Sequence, residues 1–382
     1  MNSSNQTYFD DSSWFSVVHT IERIELVYLP ILIAVGIIGN TVSVVVIFLS
    51  KLKDAPPNHY LASLSASDTT YLLGLLPIWL GKTEMLNAGT DFWCYVVLFL
   101  LNCSSWISSW SISALTIERF FVITHVSKFL AESSVSRSRI IILFLLPFPL
   151  LFNSHVFFMT GAIHGSFCSY LPKYHQQGFI LNIADTVLVF VLPMILVVLA
   201  NLAVFFYLFR QRSLNLHMFE QSDDSRRHIS ARLVLRQRQQ LARILVVVPG
   251  VFVLFNLPSY LIRLKHFLSD DQTITVADML MSEMALLLNY TNYAINFIVY
   301  ILASRNFRQA AVRLAQKRLR KASEHHFRSG TTVKEYRSRV LSELRANGND
   351  HLASPVIDQQ RNAVTFSFEA VAPNCLHYET EV

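Results

Sequence analysis

Residues Leu26–Ser50 read LVYLPILIAVGIIGNTVSVVVIFLS and contain no acidic or basic side chain. A helix needs about 20 apolar residues to cross the hydrocarbon core of a bilayer, which is roughly 30 Å thick. The stretch therefore predicts a membrane-spanning helix. The whole chain of 382 residues agrees, because only 15% of its residues are charged, against roughly 25% in an average soluble domain.

Apolar runs of similar length recur along the chain and predict seven transmembrane spans. The predicted fold class is therefore an all-α membrane protein built as a seven-transmembrane helix bundle. The composition excludes collagen-like, disordered and small secreted proteins, and it argues against a soluble enzyme. The predicted spans are Leu26–Ser50, His59–Gly81, Phe92–Ile123, Ser138–Gly161, Gly178–Phe209, Leu241–Phe267 and Val276–Ala303.

The charges of the loops predict how this bundle is oriented. An odd number of spans places the two termini on opposite sides, and lysine and arginine concentrate in cytoplasmic loops. The loops on the N-terminal side carry net negative charge, whereas Arg210–Arg243 and the segment after Ala303 are strongly basic. We therefore expect a multi-pass protein of the plasma membrane with an extracellular N-terminus. The net charge of +6 is then an orientation signal and does not indicate a nucleic-acid partner.

The segments that flank the bundle are predicted from their composition. Residues 1–25 form an extracellular N-terminal tail, in which Asn2 and Asn5 begin glycosylation sequons. Residues 304–322 place apolar side chains on one helical face and basic ones on the rest, which predicts a short amphipathic eighth helix on membrane lipid. Residues 323–382 are polar and without a clear period, so we expect a disordered cytoplasmic tail.

Polar side chains within the predicted spans mark candidate sites, because ionisable groups are costly in lipid. Asp68 lies in the middle of its span, and Asn292 and Asn296 share one face of the seventh span because they are four residues apart. Together with Ser108 they offer oxygen ligands for a monovalent cation such as Na⁺. An interhelical hydrogen-bond network without an ion is the alternative interpretation.

Two further pairs of residues indicate specific chemistry. Glu118 and Arg119 lie at the cytoplasmic end of the third span, where the carboxylate can hold the guanidinium until a partner offers better contacts. A pair that merely extends to the membrane interface is the alternative. Cys94 and Cys168 both lie on the predicted oxidising side of the membrane and can form a disulfide.

In their order and spacing these residues resemble the rhodopsin-like (class A) G-protein-coupled receptors. The resemblance makes residues 26–303 a seven-transmembrane receptor domain with a sodium pocket at the four polar residues named above. It also implies an outward swing of the sixth helix that admits a heterotrimeric G protein, with arrestin as a further partner. The matching motifs are Gly39-Asn40, Leu64 to Asp68, Glu118-Arg119-Phe120, Pro193, Phe252 with Pro258, Asn296 to Tyr300, and Phe307.

The resemblance also assigns residues to G-protein coupling and switching, and the chain departs from the family pattern near several of them. Asn256 stands where the family usually has a tryptophan, and Phe297 replaces the proline of the seventh-helix motif. Asn201 replaces a helix-five tyrosine, and Arg238 replaces an acid found in some receptors. We therefore expect lower efficacy or altered basal activity. The assigned residues are Glu118, Arg119, Phe252, Asn256, Pro258, Asn296 and Tyr300.

The ligand class follows from the side chains that the resemblance places in the outer half of the bundle. Leu101 replaces the aspartate of amine receptors and Tyr290 the lysine of opsins, which argues against amines and retinal. The remaining charges of both signs and aromatic rings suit a short peptide, and the string from Asn256 to Tyr260 resembles those of neuropeptide receptors. The candidate ligand-binding residues are Glu84, Asn102, His155, Asp185, Tyr260, Arg263, Glu283 and Asn289.

The chain ends in Glu379-Thr380-Glu381-Val382, which resembles the terminal motif that PDZ domains bind. Thr380 lies two residues before Val382, so a PDZ-domain scaffold is a predicted partner. Two alternatives to a signalling receptor stay open at this point. One is a non-signalling or scaffold-tethered decoy receptor, and the other is a seven-helix transporter, although no inverted repeat of the kind that transporters show is visible.

Overall fold

The computed structural model describes most of the predicted bundle and little of the two ends of the chain. It contains two compact units, Met1–Leu314 and Ala315–Val382. In the second unit the described residues are helical. The predicted sequons at Asn2 and Asn5 and the terminal motif with Thr380 and Val382 lie outside the described residues, as does Arg238. The described residues are 11–87, 90–124, 135–163, 167–219, 247–265, 275–321, 338–339 and 342.

Helices account for nearly all of this structure, which confirms the predicted all-α class. Each of the seven predicted spans corresponds to a helix, the sixth of them described from Val247 onward. An amphipathic helix follows the seventh. The helices are α1 (Asp11–Leu49), α2 (Pro56–Lys82), α3 (Asp91–Thr124), α4 (Val135–Met159), α5 (His175–Thr186, Val187–Val191 and Leu192–Phe219), α6 (Val247–Lys265), α7 (Val276–Ala303) and α8 (305–321).

Six of these helices are long and apolar enough to cross a membrane, and α2 is not among these six in the described part of the chain. The segment Ser63–Thr70 makes α2 more polar, since it contains three serines, two threonines and Asp68. These polar groups do not require lipid contact, because α2 packs against α1, α3, α4 and α7. Asp68 itself is fully buried. A span inside a bundle can therefore carry polar side chains that a lipid-facing span cannot.

Helix α1 begins at Asp11, fifteen residues before the predicted start at Leu26. The extra turns carry charged side chains, so the apolar pattern alone marks only the part of the helix that suits lipid. One of these charges is held by the bundle: Glu25 is only 4% exposed and forms an ion pair with Lys82 at the end of α2. The predicted span boundary is therefore correct for the apolar run and wrong for the helix.

Prolines interrupt α4 and α5 without ending them. Proline cannot donate its backbone N–H and its ring crowds the preceding turn. In α5 a five-residue π turn, Val187–Val191, comes before Pro193, and Trp110 of α3 donates through Nε1 to the Leu188 carbonyl at 3.0 Å. Helix α4 contains a short 3₁₀ segment at Asn153–His155, which follows Pro147 and Pro149.

A short β-hairpin, which the sequence pattern did not predict, lies between α4 and α5. Its strands β1 (Thr160–Ile163) and β2 (Phe167–Tyr170) pair antiparallel, with Ala162 opposite Cys168. Four-residue strands are too short to show a clear alternation of apolar and polar residues. The hairpin contacts α3.

The junction between α7 and α8 is anchored by one aromatic side chain and one arginine. Phe307 is 4% exposed and lies edge-on to the Tyr300 ring, with 6.0 Å between the ring centroids. Arg308 donates to the Ile301 and Leu302 carbonyls at 2.6 and 3.0 Å. These bonds give hydrogen-bond donors to two carbonyl groups in the last turn of α7. Phe307, which matches a family motif in the sequence, therefore packs at the start of α8.

Candidate functional site

The hairpin is fastened to the start of α3 by a covalent and a polar contact. Cys94 and Cys168 form a disulfide, as the sequence predicts. Asp91 at the start of α3 accepts a hydrogen bond from the Ala162 backbone N–H at 2.8 Å. The two bonds hold β1 and β2 across one end of the bundle, which we call the disulfide end.

An ion pair joins α5 and α6 near this hairpin. Arg263 Nη1 lies 3.4 Å from Asp185 Oδ2 and 3.4 Å from the Thr186 hydroxyl. The side chains of Arg263 and Asp185 are 38% and 22% exposed, so both remain open to a molecule that enters from this end. Both were predicted as ligand-binding residues.

Aromatic rings lie near the ion pair. Tyr260 lies 5.2 Å from the Arg263 guanidinium, measured to its ring centroid, and stacks on Phe190 at 4.1 Å. The His155 Nδ1–H donates to the Phe152 carbonyl at 2.7 Å, so His155 Nε2 accepts from the Tyr170 hydroxyl at 3.0 Å. Burial, with the nearby Asp185 carboxylate, raises the pKa of Tyr170 and keeps this donor protonated.

The other predicted ligand-binding residues do not all join this cluster. Glu84 lies in the turn after α2, is exposed, and has a positive φ of 59°. Asn102 is half-buried on α3, and Glu283 is half-buried on α7, where its charge acts on Lys82. Asn289 lies deeper in the bundle. Tyr170, one of the aromatic residues that the sequence places in the outer half of the bundle, joins the cluster through its bond to His155, and the hairpin determines its position.

Beneath this cluster, amide and phenol groups connect α2, α6 and α7. Asn289 of α7 donates through Nδ2 to Asn256 Oδ1 of α6 at 2.8 Å. Asn256 Nδ2 donates to the Phe252 carbonyl at 2.7 Å, and Asn256 is 2% exposed. The Tyr71 hydroxyl donates to Asn289 Oδ1 at 3.4 Å. The asparagine that replaces the family tryptophan thus makes a direct polar bond between α6 and α7, two residues before Pro258.

Three of the four residues of the predicted Na⁺ site are in contact in the middle of the bundle, and the fourth, Asn292, lies one helical turn from Asn296. The Ser108 hydroxyl donates to Asp68 Oδ1 at 2.8 Å, and Asn296 Nδ2 donates to Asp68 Oδ2 at 2.5 Å. Asn292 is 1% exposed, and neither its amide nitrogen nor its amide oxygen has a hydrogen-bond partner in the described part of the chain. An unpartnered buried amide is rare, and its oxygen is the kind of ligand that a small cation takes.

The opposite end of the bundle carries the predicted coupling residues. Arg119 is half-buried next to Glu118 on α3. The Tyr60 and Ser138 hydroxyls of α2 and α4 lie near the Glu118 carboxylate, whose Oε2 is buried without a hydrogen-bond partner among the described residues. Glu118 therefore lies where α2, α3 and α4 come together, and its charge acts on the neighbouring Arg119.

Tyr300 is 2% exposed and packs against Phe307. Within the described residues the hydroxyls of Tyr300 and Ser65 are buried without a hydrogen bond of good geometry. Phe252 is equally buried, with its ring centroid 6.2 Å from that of Phe190. In this arrangement Tyr300 rests on α8 and Arg119 rests beside Glu118, so the two side chains are engaged within the bundle.

Phe297, which replaces the proline of the seventh-helix motif, packs against α1. A Cβ atom added to Gly39 would lie within 2.5 Å of three atoms of the Phe297 ring. Only glycine at position 39 therefore lets the ring lie against the backbone of α1. The neighbouring Asn40 donates through Nδ2 to the Tyr293 carbonyl of α7 at 2.8 Å. Phe297, where the chain departs from the family pattern, thus contacts Gly39 of the Gly39-Asn40 motif.

Comparisons with known proteins agree with this architecture. Residues 39–300 match the family model of the seven-transmembrane receptors of the rhodopsin family. The melanin-concentrating hormone receptor 2 of Macaca fascicularis is 24% identical over 83% of this chain and 92% of that receptor. The human galanin receptor type 1 is 25% identical over 83% of this chain and 87% of that receptor.

A third relative is the mouse neuromedin-U receptor 2, 26% identical over 75% of this chain and 73% of that receptor. All three relatives are similar to this chain over at least three quarters of its length. The family model covers the span from Gly39 in α1 to Tyr300 in α7, more than half of the chain. The chain therefore belongs to the rhodopsin family of seven-transmembrane receptors, which is not a family of enzymes.

Proposed function

We propose that this chain is a cell-surface receptor that binds a short peptide at the disulfide end and activates heterotrimeric G proteins at the opposite end. The observation that carries the proposal is the cluster of Arg263, Asp185 and aromatic rings, which offers separated polar partners in a partly open site. Peptides need such partners for their charged groups and amides. The names of the relatives, which are receptors for melanin-concentrating hormone, galanin and neuromedin U, support the same ligand class.

The proposed orientation places the disulfide end and the N-terminus outside the cell. Disulfides persist in oxidising compartments, and the bond between Cys94 and Cys168 lies at the end that we propose to be extracellular. The loop charges support the same orientation, because the strongly basic segment Arg210–Arg243 belongs to the other end. The basic helix α8 would lie on anionic lipid of the inner leaflet.

The proposed mechanism runs through α6, which contacts both ends. A ligand that binds the outer cluster more tightly when α6 has moved outward shifts the population towards that state. The bond between Asn256 and Asn289 holds α6 to α7 in the arrangement described above. Its loss would free the inner part of α6, and Arg119 and Tyr300 would then contact a G protein. Arrestin and a PDZ-domain scaffold are further proposed partners at this side.

The peptide-receptor proposal is tested by a screen of short peptides on cells that express the chain together with a promiscuous G protein. We expect at least one peptide to raise the second messenger in these cells and not in untransfected cells. The response should be lost in Arg263→Ala and kept in Lys173→Ala, which removes an exposed cation outside the cluster. Absence of any response, despite surface expression, would contradict the proposal.

We further propose that Na⁺ binds at Asp68. The residues fit the ion, since Asp68, Ser108 and Asn296 are in contact and the Asn292 amide oxygen is unpartnered among the described residues. When bound, the cation supplies positive charge that holds α2, α3 and α7 together. The Asp68 carboxylate would be its main ligand, with the Ser108 hydroxyl and the asparagine amides completing the oxygen set.

Sodium should therefore lower basal nucleotide exchange, because it stabilises the arrangement that it binds. We expect at least about a twofold decrease when NaCl replaces KCl at constant ionic strength. Asp68→Asn should remove this difference, whereas Asp54→Asn, in the turn between α1 and α2, should retain it. Equal sodium responses in Asp68→Asn and the wild type would show that the ion does not act at Asp68.

A further inference from the structure

The ion pair between Arg263 and Asp185 leaves bonding capacity on both partners. Close charged hydrogen bonds measure about 2.7–2.9 Å, whereas Arg263 Nη1 lies 3.4 Å from both Asp185 Oδ2 and the Thr186 hydroxyl. A guanidinium has five N–H donors and a carboxylate accepts about four hydrogen bonds. Both side chains remain partly exposed. The pair therefore presents a donor and an acceptor side by side at the disulfide end.

The chemistry of this pair selects among the groups that a peptide can offer. A carboxylate would be attracted by Arg263 and repelled by Asp185. An ammonium group would be attracted by Asp185 and repelled by Arg263. A primary amide is neutral and has a carbonyl oxygen next to an N–H donor. It can accept from Arg263 and donate to Asp185 at the same time, without breaking the ion pair.

The surrounding charges strengthen the preference against a carboxylate. Carboxylates outnumber lysine and arginine among the described residues of the disulfide end, and ion pairs already engage Lys82 with Glu25 and Lys265 with Asp278. A free carboxylate would enter a region of net negative charge. The carboxylates are Glu22, Glu25, Glu84, Asp91, Asp185, Asp278 and Glu283, and the cations are Arg23, Lys82, Lys173, Arg263 and Lys265.

The aromatic rings complete the site. Tyr260, stacked on Phe190, lies beside the guanidinium and offers an apolar wall to the residue that carries the amide. The pair formed by His155 and Tyr170 bonds internally, so its polar atoms do not compete for Arg263. A ligand end at this position would meet one donor and one acceptor between aromatic surfaces.

We propose that Arg263 and Asp185 together recognise a primary carboxamide of the peptide, either an amidated C-terminus or an asparagine or glutamine side chain. This inference rests on the proposed peptide-receptor function and specifies the chemistry of its ligand. Asp185 acts as a specificity residue that rejects the free acid, and Arg263 supplies the donor for the carbonyl oxygen.

The test is a library in which each short peptide is present as the free acid and as the C-terminal amide, applied to cells that express the full chain with a promiscuous G protein. For each active sequence that lacks asparagine and glutamine, we expect the amide to act at a concentration at least about tenfold lower than the acid, as the loss of a bond to a charged group predicts. A third set, with free acid termini and an internal asparagine or glutamine, distinguishes the two sources of the amide. Activity of that set at the same concentrations would assign the side chain as the source.

Two variants separate recognition from folding. Asp185→Asn removes the repulsion of a carboxylate, so the difference between amide and acid should fall below about threefold while the amides remain active. Asp278→Asn removes a carboxylate of the same end but keeps a residue suited to the α7 cap, so it should retain the full difference. Equal activity of acids and amides at the wild type, among peptides that lack asparagine and glutamine, would overturn the inference and leave the peptide-receptor function standing. An unchanged preference in Asp185→Asn would overturn the role of Asp185, whereas silence of all peptides would contradict the receptor function itself.

Discussion

Replacing Gly39 with alanine is expected to lower the stability of the folded receptor substantially. The new Cβ would lie within 2.5 Å of the Phe297 ring, so α1 and α7 must separate or the ring must leave its rotamer. Overpacking of this kind costs about 1–3 kcal/mol. The sign of the change in stability is informative, because replacing glycine with alanine inside a helix otherwise stabilises the protein by about 1 kcal/mol. The measurement is thermal unfolding of the purified receptor in detergent.

The chain provides a matched control and a suppressor for this prediction. Gly250 lies in α6, and a Cβ atom added there would meet no described atom within 4 Å, so Gly250→Ala should unfold at the wild-type temperature or above it. Phe297→Ala removes the ring, and Gly39→Ala should cost little in that background. A Gly39→Ala receptor as stable as the wild type would mean that Phe297 does not pack against α1 as described.

Replacing Asn289 with leucine is expected to raise nucleotide exchange in the absence of ligand. The substitution keeps the volume but removes the bond between α7 and Asn256 of α6, at 2.8 Å. A buried hydrogen bond contributes about 0.5–1.5 kcal/mol net, and loss of that restraint changes a two-state ratio by roughly two- to tenfold. Basal guanine-nucleotide exchange in membranes with equal receptor content measures the effect.

The control removes a bond between helices that does not involve α6. Tyr28 of α1 bonds to Thr291 of α7 at 2.6 Å, and Tyr28→Phe should leave basal exchange unchanged. If Asn289→Leu gave basal exchange at or below the wild-type level, the bond to Asn256 would not restrain α6. The proposed route from the outer cluster to Arg119 would then have to bypass these asparagines.

The sequence predicted the class, the number of spans and much of the inner site, for reasons that lie in single helices. Residues four apart share a helical face, so Asn292 and Asn296 were expected together; both are buried in the structure, and Asn296 donates to Asp68. The disulfide between Cys94 and Cys168 was predicted from the compartment of two cysteines. Such inferences use only local periodicity, span counting and family motifs.

Contacts between helices were not accessible in the same way. The bond from Asn289 to Asn256 depends on how α6 and α7 are rotated against each other, and no spacing within either helix encodes it. The packing of Phe297 on Gly39 depends similarly on the approach of α1 and α7. The early start of α1 was missed because hydropathy reports the lipid boundary, whereas the helix continues through charged residues such as Glu25.

The most direct test of the central claim is peptide-stimulated guanine-nucleotide exchange in membranes that contain either the wild type or Arg119→Ala. A peptide from the screen that activates the wild type should still bind the variant at the disulfide end, but its stimulation of exchange should fall at least about tenfold. Arg139→Ala, which removes an exposed arginine of α4, should stimulate normally. Loss of stimulation with retained peptide binding is the predicted result. Unchanged stimulation in Arg119→Ala would contradict the account, and a wild type that binds peptide without stimulating exchange would indicate a decoy receptor.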